Sequence, residues 1–182
     1  MPKRILISGA PGAGKTTIGK ELARKLNYKH IEIDDYNWRI DAEVPYTIAR
    51  PIEESHVHLL NDIVKSPQLV VSGSMWIGRE RFTPLFDLAI FIHAPAEIRV
   101  DRLRSRQLSL YKERVLEGGD MYEGNNRFLE SAASYDMNYR KTQHDLWKSE
   151  MSCPVICADG TESISDIVEW MTKQYFAVYS IE

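Results

Sequence analysis

The chain has 182 residues, enough for one domain with a proper core and a small insertion. Its 43% hydrophobic and 27% charged residues match an ordinary globular protein, with no low-complexity segment. A net charge of -3 gives no electrostatic footprint for nucleic acid or an anionic membrane surface, and no apolar run reaches the length of a membrane span.

Arg4-Ile5-Leu6-Ile7-Ser8 is a short apolar run that reads as a buried strand. Gly9-Ala10-Pro11-Gly12-Ala13-Gly14-Lys15-Thr16 follows and matches G-x-x-x-x-G-K-[ST], a phosphate-binding P-loop. Ile18, Leu22, Ala23 and Leu26 then recur at helical spacing. Strand, glycine loop and helix form the context in which this motif has meaning. The glycines let the backbone curl so that several N–H groups point at one phosphate, and the helix N-terminus adds a favourable dipole. Lys15 would reach the β- and γ-phosphates and the Thr16 hydroxyl would ligate Mg²⁺. Gly9 through Thr17 are therefore the expected nucleotide-binding residues, with ATP and Mg²⁺ as the expected cofactors.

His30-Ile31-Glu32-Ile33 reads as the second strand, and Asp34 and Asp35 follow it. A carboxylate at that sheet edge can hold Mg²⁺ or accept a proton from a substrate hydroxyl, although either aspartate would also serve a turn. The stretch 36–66 is an expected acceptor-binding insertion that carries Arg39 and Arg50, and it ends in a helix with Val57, Leu60 and Val64 on one face. Leu69-Val70-Val71-Ser72 is the third strand. P-loop enzymes usually carry a Walker B aspartate there, but this strand runs into Ser72-Gly73-Ser74. Metal duty then passes to Asp34 or Asp35, with Ser72 and Ser74 placed to orient waters. Arg79 and Arg81 follow, and either could bind an anionic group on an acceptor.

Leu88-Ala89-Ile90-Phe91-Ile92 is the fourth strand. Ile98, Arg102 and Arg106 mark the next helix, with the two arginines four apart on one face. A guanidinium there can stack on adenine while a second reaches phosphate. Residues 107–150 are long, polar and rich in Arg, Tyr and Gly, as expected of a lid; Arg114 and Arg127 would close onto the transferring phosphoryl group. Cys153 and Cys157 flank Val155-Ile156, on or beside a buried fifth strand, Pro154–Cys157. Ile164, Ile167, Val168, Met171 and Tyr175 form a final helical stripe. The five histidines, His30, His56, His58, His93 and His144, lack ligand spacing and read as core edge or surface. Strands alternating with helices imply a parallel sheet covered on both faces, with the ligand beyond the carboxyl ends of the strands.

Gly9 to Thr16, Asp34, Asp101 to Arg106 and Ala158-Asp159-Gly160-Thr161 fall in the order seen in the adenylate kinase and shikimate kinase group of small P-loop kinases. The segments His30 to Trp38 and Ser72 to Arg106 also resemble the uncharacterised kinase-like proteins sometimes labelled DNA topology modulation proteins. The resemblance implies a P-loop α/β/α sandwich with a five-stranded parallel sheet and a helical lid. It implies that Arg102 packs on adenine beside Gly160 and that Arg106 contacts phosphate. The acceptor does not carry over. The phosphate-binding arginine motifs of adenylate kinase have no counterpart between residues 36 and 85, and Ser72-Gly73-Ser74 stands where shikimate kinase has a glycine triplet.

The expectation is a single domain over 1–182 that acts as an ATP-dependent phosphotransferase on a small acceptor, a nucleoside monophosphate or a metabolite hydroxyl. Lys15, Asp34, Asp35, Arg106 and Arg127 are the expected catalytic residues; Thr16 and Asp34 are the expected metal ligands. The alternative is a regulatory ATPase or switch with no small-molecule acceptor. The chain lacks the guanine-reading N-K-x-D sequence. The apolar stretch after Lys3-Arg4 is too short for a signal peptide, so the expected setting is cytoplasmic, as monomer or homodimer.

Overall fold

A computed structural model describes residues 3–39, 41–44, 46–75 and 77–179. The ends of the predicted 1–182 domain, and Ile40 and Pro45 of the predicted insertion, lie outside the described residues. Five parallel strands, β1 (Arg4–Gly9), β2 (Lys29–Glu32), β3 (Leu69–Ser72), β4 (Leu88–His93) and β5 (Val155–Asp159), lie in the order β2-β3-β1-β4-β5. The order reverses beside β1, so the loop after β1 opens at the switch point of the sheet. The strand register is regular, with Ile5 opposite Val70 on one side and Leu88 on the other.

The pleat sends alternate residues to opposite faces. Ile5 and Ile7 pack with Ile18 and Leu22 of α1 (Lys15–Leu26) and Val168, Met171 and Tyr175 of the C-terminal helix (Ile164–Tyr179). Leu6 packs on the other face with Leu59 and Ile63 of a helix spanning Ile52–Lys65, and with Trp147. Burying a side chain of this size contributes about 1.5–3 kcal/mol, so both faces of the central strand are strongly committed. Helix α1 ends where Asn27 takes a left-handed conformation and its N–H bonds the Ala23 and Arg24 carbonyls. Among the described residues no helix is long and apolar enough to cross a membrane.

In order, the remaining helices are α2 (Asp34–Asn37), α3 (Ile52–Lys65), α4 (Ala96–Tyr111), α5 (Tyr122–Ala133), α6 (Tyr139–Ser149) and α7 (Ile164–Tyr179). Three sequence expectations change. Helix α3 buries Ser55, His56, Leu59 and Ile63, while Val57 and Val64 are 52% and 55% exposed. Both faces of that helix carry apolar residues, and periodicity alone chose the wrong one. β5 is an edge strand rather than a buried one; Cys157 is exposed and accepts a bond from Lys148 Nζ at 2.8 Å. The lid expected over 107–150 divides. Residues 107–111 complete α4, and α6 belongs to the core, with Trp147 1% exposed against Phe91 and its indole N–H bonded to Thr83. Of the expected lid, the segment from Lys112 to Ala133 forms a short 3-10 turn (Lys112–Val115) and α5.

Candidate active site

The loop after β1 is built by close backbone approach. Gly12 has φ +80, and a Cβ on it would lie 2.4 Å from the Arg99 carbonyl oxygen. A Cβ on Gly9 would lie 2.5 Å from the Ile92 carbonyl oxygen. Helix α1 opens on Gly14 (φ 99) with no side-chain cap and no acid in its first turn. Its first N–H groups are thus left for a ligand, and the helix dipole favours an anion there. Lys15 folds back to donate to the Ala10 carbonyl at 2.9 Å. Burial lowers its pKa from 10.5 to about 8, helped by Arg106 and Arg99 and opposed by Asp34 and Glu32.

A cleft of about 350 Å³ runs along this loop. Gly12, Gly14, Lys15, Thr16 and Thr17 form one wall; Arg102, Arg106 and Gly160 form the other. Gly9, Ala10 and Ala13 lie behind as buried backbone, with Pro11 at the loop's turn. Arg102 donates to the Gly160 carbonyl at 2.8 Å. Gly160 is pressed against the loop: its N–H bonds the His93 carbonyl at 2.6 Å, and a Cβ there would lie 3.0 Å from the Ala13 oxygen. A larger depression of about 520 Å³ lies around Arg79, Thr83 and Glu150, but neither the loop nor the aspartates reach it.

At the carboxyl end of β2 the Thr16 hydroxyl donates to Glu32 at 2.6 Å. In the sequence Glu32 stands within an apolar strand, which hides its role. Its signal was available in the period of two: His30 and Glu32 share the face toward α1, where His30 Nε2 would lie 2.9 Å from a Cβ on Gly19. Asp34 and Asp35 open α2 and feel different cations. Asp34 lies within electrostatic range of Lys15 and Arg106; burial raises its pKa, Glu32 and Asp35 add to the rise, and the two cations oppose it. Asp35 is raised by burial and by Glu32, and its opposing cation is Lys20. Tyr46, also missed in the sequence, sits at φ 60, and burial followed by Asp35 and Glu32 raises its phenol.

Ser72 and Ser74 do not face this chemistry. Ser72 is fully buried and bonds His30 Nε2 at 2.9 Å; Ser74 bonds the Ser8 hydroxyl at 3.3 Å and the Gly9 carbonyl at 3.2 Å. Gly73 between them has φ +144, so a tight small-residue turn accounts for all three. Ser8 also bonds His144 Nε2 at 3.0 Å beneath the loop. Burial lowers the His144 pKa to about 4, with Lys15 acting in the same direction, so this histidine is a neutral structural group.

The remaining arginines separate clearly. Arg79 grips Glu150 at 2.7 and 3.1 Å, Arg81 pairs with Glu53 at 3.0 Å, and Arg50 bonds the Trp38 carbonyl at 3.2 Å. Arg39 lies 3.7 Å from Asp41. Arg114 is held by Asp120 at 2.7 and 3.0 Å and reaches the Glu43 carbonyl at 3.5 Å, joining the lid segment to the insertion. Arg127 is exposed on α5. The fully buried arginine is one the sequence reading passed over, Arg99 on α4.

A family model described as an AAA domain matches residues 5–127. The protein YqaC of Bacillus subtilis, described as uncharacterized, is 34% identical over 173 residues, covering 93% of this chain and 95% of YqaC. A cytidylate kinase of Pyrobaculum islandicum is 28% identical over 149 residues, 74% of this chain and 77% of that protein. Among solved structures, shikimate kinase from Acinetobacter baumannii in complex with shikimate superposes with a TM-score of 0.58 at 18% identity, covering 97% of this chain and 94% of that one. The likeness to shikimate kinase is one of fold.

Proposed function

The chain belongs to the P-loop family described by the AAA-domain model, with kinases among its relatives, and from that membership we propose that it is an ATP-dependent phosphotransferase acting on a small-molecule acceptor. The acceptor is a nucleoside monophosphate or a metabolite hydroxyl. One juxtaposition carries the reading: Lys15, Asp34 and Arg106 lie within electrostatic reach of one another at the carboxyl edge of the sheet. A phosphate clamp beside a carboxylate is what phosphoryl transfer to an acceptor requires.

In this reading the loop N–H groups and Lys15 bind the phosphates, Arg102 and Gly160 border the adenine, Arg106 in the cleft wall meets charge on the transferring group, and Arg127, exposed on α5, joins it only where that segment closes over the cleft. Asp34 or Asp35 serves as metal ligand or, where the acceptor is a hydroxyl, as the base that takes its proton. A bound Mg²⁺ would neutralise phosphate charge. Thr16 and Asp34 would hold it, with Glu32 bonded to Thr16 behind them. The donors fit: a hydroxyl and carboxylates are hard oxygen ligands.

The test is ADP release from ATP across a panel of nucleoside monophosphates and metabolite alcohols. An acceptor that accelerates turnover and emerges phosphorylated is the expected result. Turnover that no small molecule changes, but a protein partner does, would replace this reading with a regulatory ATPase.

A further inference from the structure

Arg99 is a guanidinium with no solvent exposure, placed directly behind the phosphate loop. Its Nε donates to the Ala94 carbonyl at 2.9 Å, at the turn that starts α4. Nη1 is shared between the Pro11 carbonyl at 3.4 Å and the Ala132 carbonyl at 3.3 Å. Nη2 donates to Asp136 at 2.5 Å. The cation also lies 5.5 Å from the centre of the Tyr135 ring. Pro11 stands at the turn of the loop, and Ala132 and Asp136 flank the C-terminal end of α5. The neighbouring Gly12 meets the Arg99 main chain in the close approach described above.

We propose that Arg99 is a positioning residue that ties the turn of the phosphate loop to the end of the lid helix α5. Burying a guanidinium is costly unless its donors are satisfied in fixed directions. A planar fork meets several acceptors at once, so the position of each acceptor constrains the others. The Pro11 carbonyl accepts from this fork, which holds the turn of the loop. The lid helix is held by the same head group through Ala132 and Asp136. The loop thus takes its phosphate-binding shape only when the end of α5 is in place. Asp136 is 38% exposed on its side chain, so it can be altered without opening the core.

This inference rests on the reading of residues 9–16 as a phosphate cradle, so the probe is inorganic tripolyphosphate, which binds the loop and needs no acceptor or base site. Its affinity is measured by calorimetry for the wild type and for Arg99→Lys, Asp136→Ala and Asp136→Asn, with hydrogen exchange of the loop amides. Lysine keeps the charge and loses the fork, so Arg99→Lys binds tripolyphosphate at least tenfold more weakly, with faster exchange at 9–16. Asp136→Ala releases the head group and weakens binding several-fold. Asp136→Asn keeps an acceptor oxygen and stays within twofold of wild type. Equal behaviour of Asp136→Ala and Asp136→Asn would reduce the pair to its charge and overturn the proposal, as would wild-type affinity in a folded Arg99→Lys. If Arg99→Lys does not fold, the Asp136 pair decides. A wild type that binds no tripolyphosphate overturns the phosphate-loop reading together with this one.

Discussion

Replacing Lys15 by methionine should make the ligand-free protein more stable while ending nucleotide binding. The ammonium is enclosed by the loop, and burial lowers its pKa from 10.5 to about 8. At about 1.4 kcal/mol per tenfold change, that drop corresponds to about 3 kcal/mol of folding free energy lost at neutral pH. The sign follows from proton counting. Between pH 8 and 10.5 the unfolded chain binds a proton that the native state releases, so stability falls as pH is lowered through that window. Below pH 8 the full penalty is present. Methionine keeps the length and removes the charge, but it gives up the bond to the Ala10 carbonyl, worth about 1 kcal/mol. The net gain is about 2 kcal/mol, or a rise in Tm of about 4–8 °C for a chain of this size. Calorimetry of wild type and Lys15→Met at pH 7 and pH 9.5 reads this directly. The variant should melt higher at pH 7, and the gap should narrow at pH 9.5, where wild-type Lys15 has largely lost its proton. A Lys15→Met protein no more stable than wild type at pH 7, or a gap that does not depend on pH, would refute the reasoning. So would unaltered ATP binding.

Asp34→Asn should lower kcat by at least about 100-fold and leave the ATP Kd within a few-fold, because the carboxylate acts on the acceptor and on developing charge; Asp35→Asn, whose carboxylate feels Lys20 rather than Lys15 and Arg106, should be mild, and steady-state kinetics with the true acceptor separate the two. Arg102→Ala should weaken ATP by about 1–2 kcal/mol and erode a preference for ATP over GTP, as measured by competition binding. His144 is neutral in the native state with a pKa near 4 against 6.5 ordinarily, so the unfolded chain takes up a proton first as pH falls. Wild-type stability should therefore drop between pH 6.5 and 4, by about 3 kcal/mol more than that of His144→Gln, in urea midpoints taken across that range.

The five strands, their alternation with helices and the glycine loop after β1 were legible along the chain. These rest on short-range physics: apolar runs of strand length, glycines at fixed offsets, and a helix that must begin where the loop ends. Asp34 could be named because any residue just past β2 must lie at the ligand edge of a parallel sheet. Tertiary structure decided which side chains meet. Glu32 joins Thr16 only because β2 and α1 lie side by side, and its acid was hidden within an apolar run. Ser72 points into the core because the strand register turns it toward His30. Arg79, Arg81 and Arg114 are candidates for anion binding in the sequence; the carboxylates of Glu150, Glu53 and Asp120 occupy them in the fold. Helix α6 left the lid because Trp147 found a place beneath the sheet, which depends on the volume between elements. Arg99 is the fullest case. An arginine on a polar-looking helix reads as surface until the loop, α5 and Asp136 close around it, since burial is a property of the assembled chain and not of any local pattern.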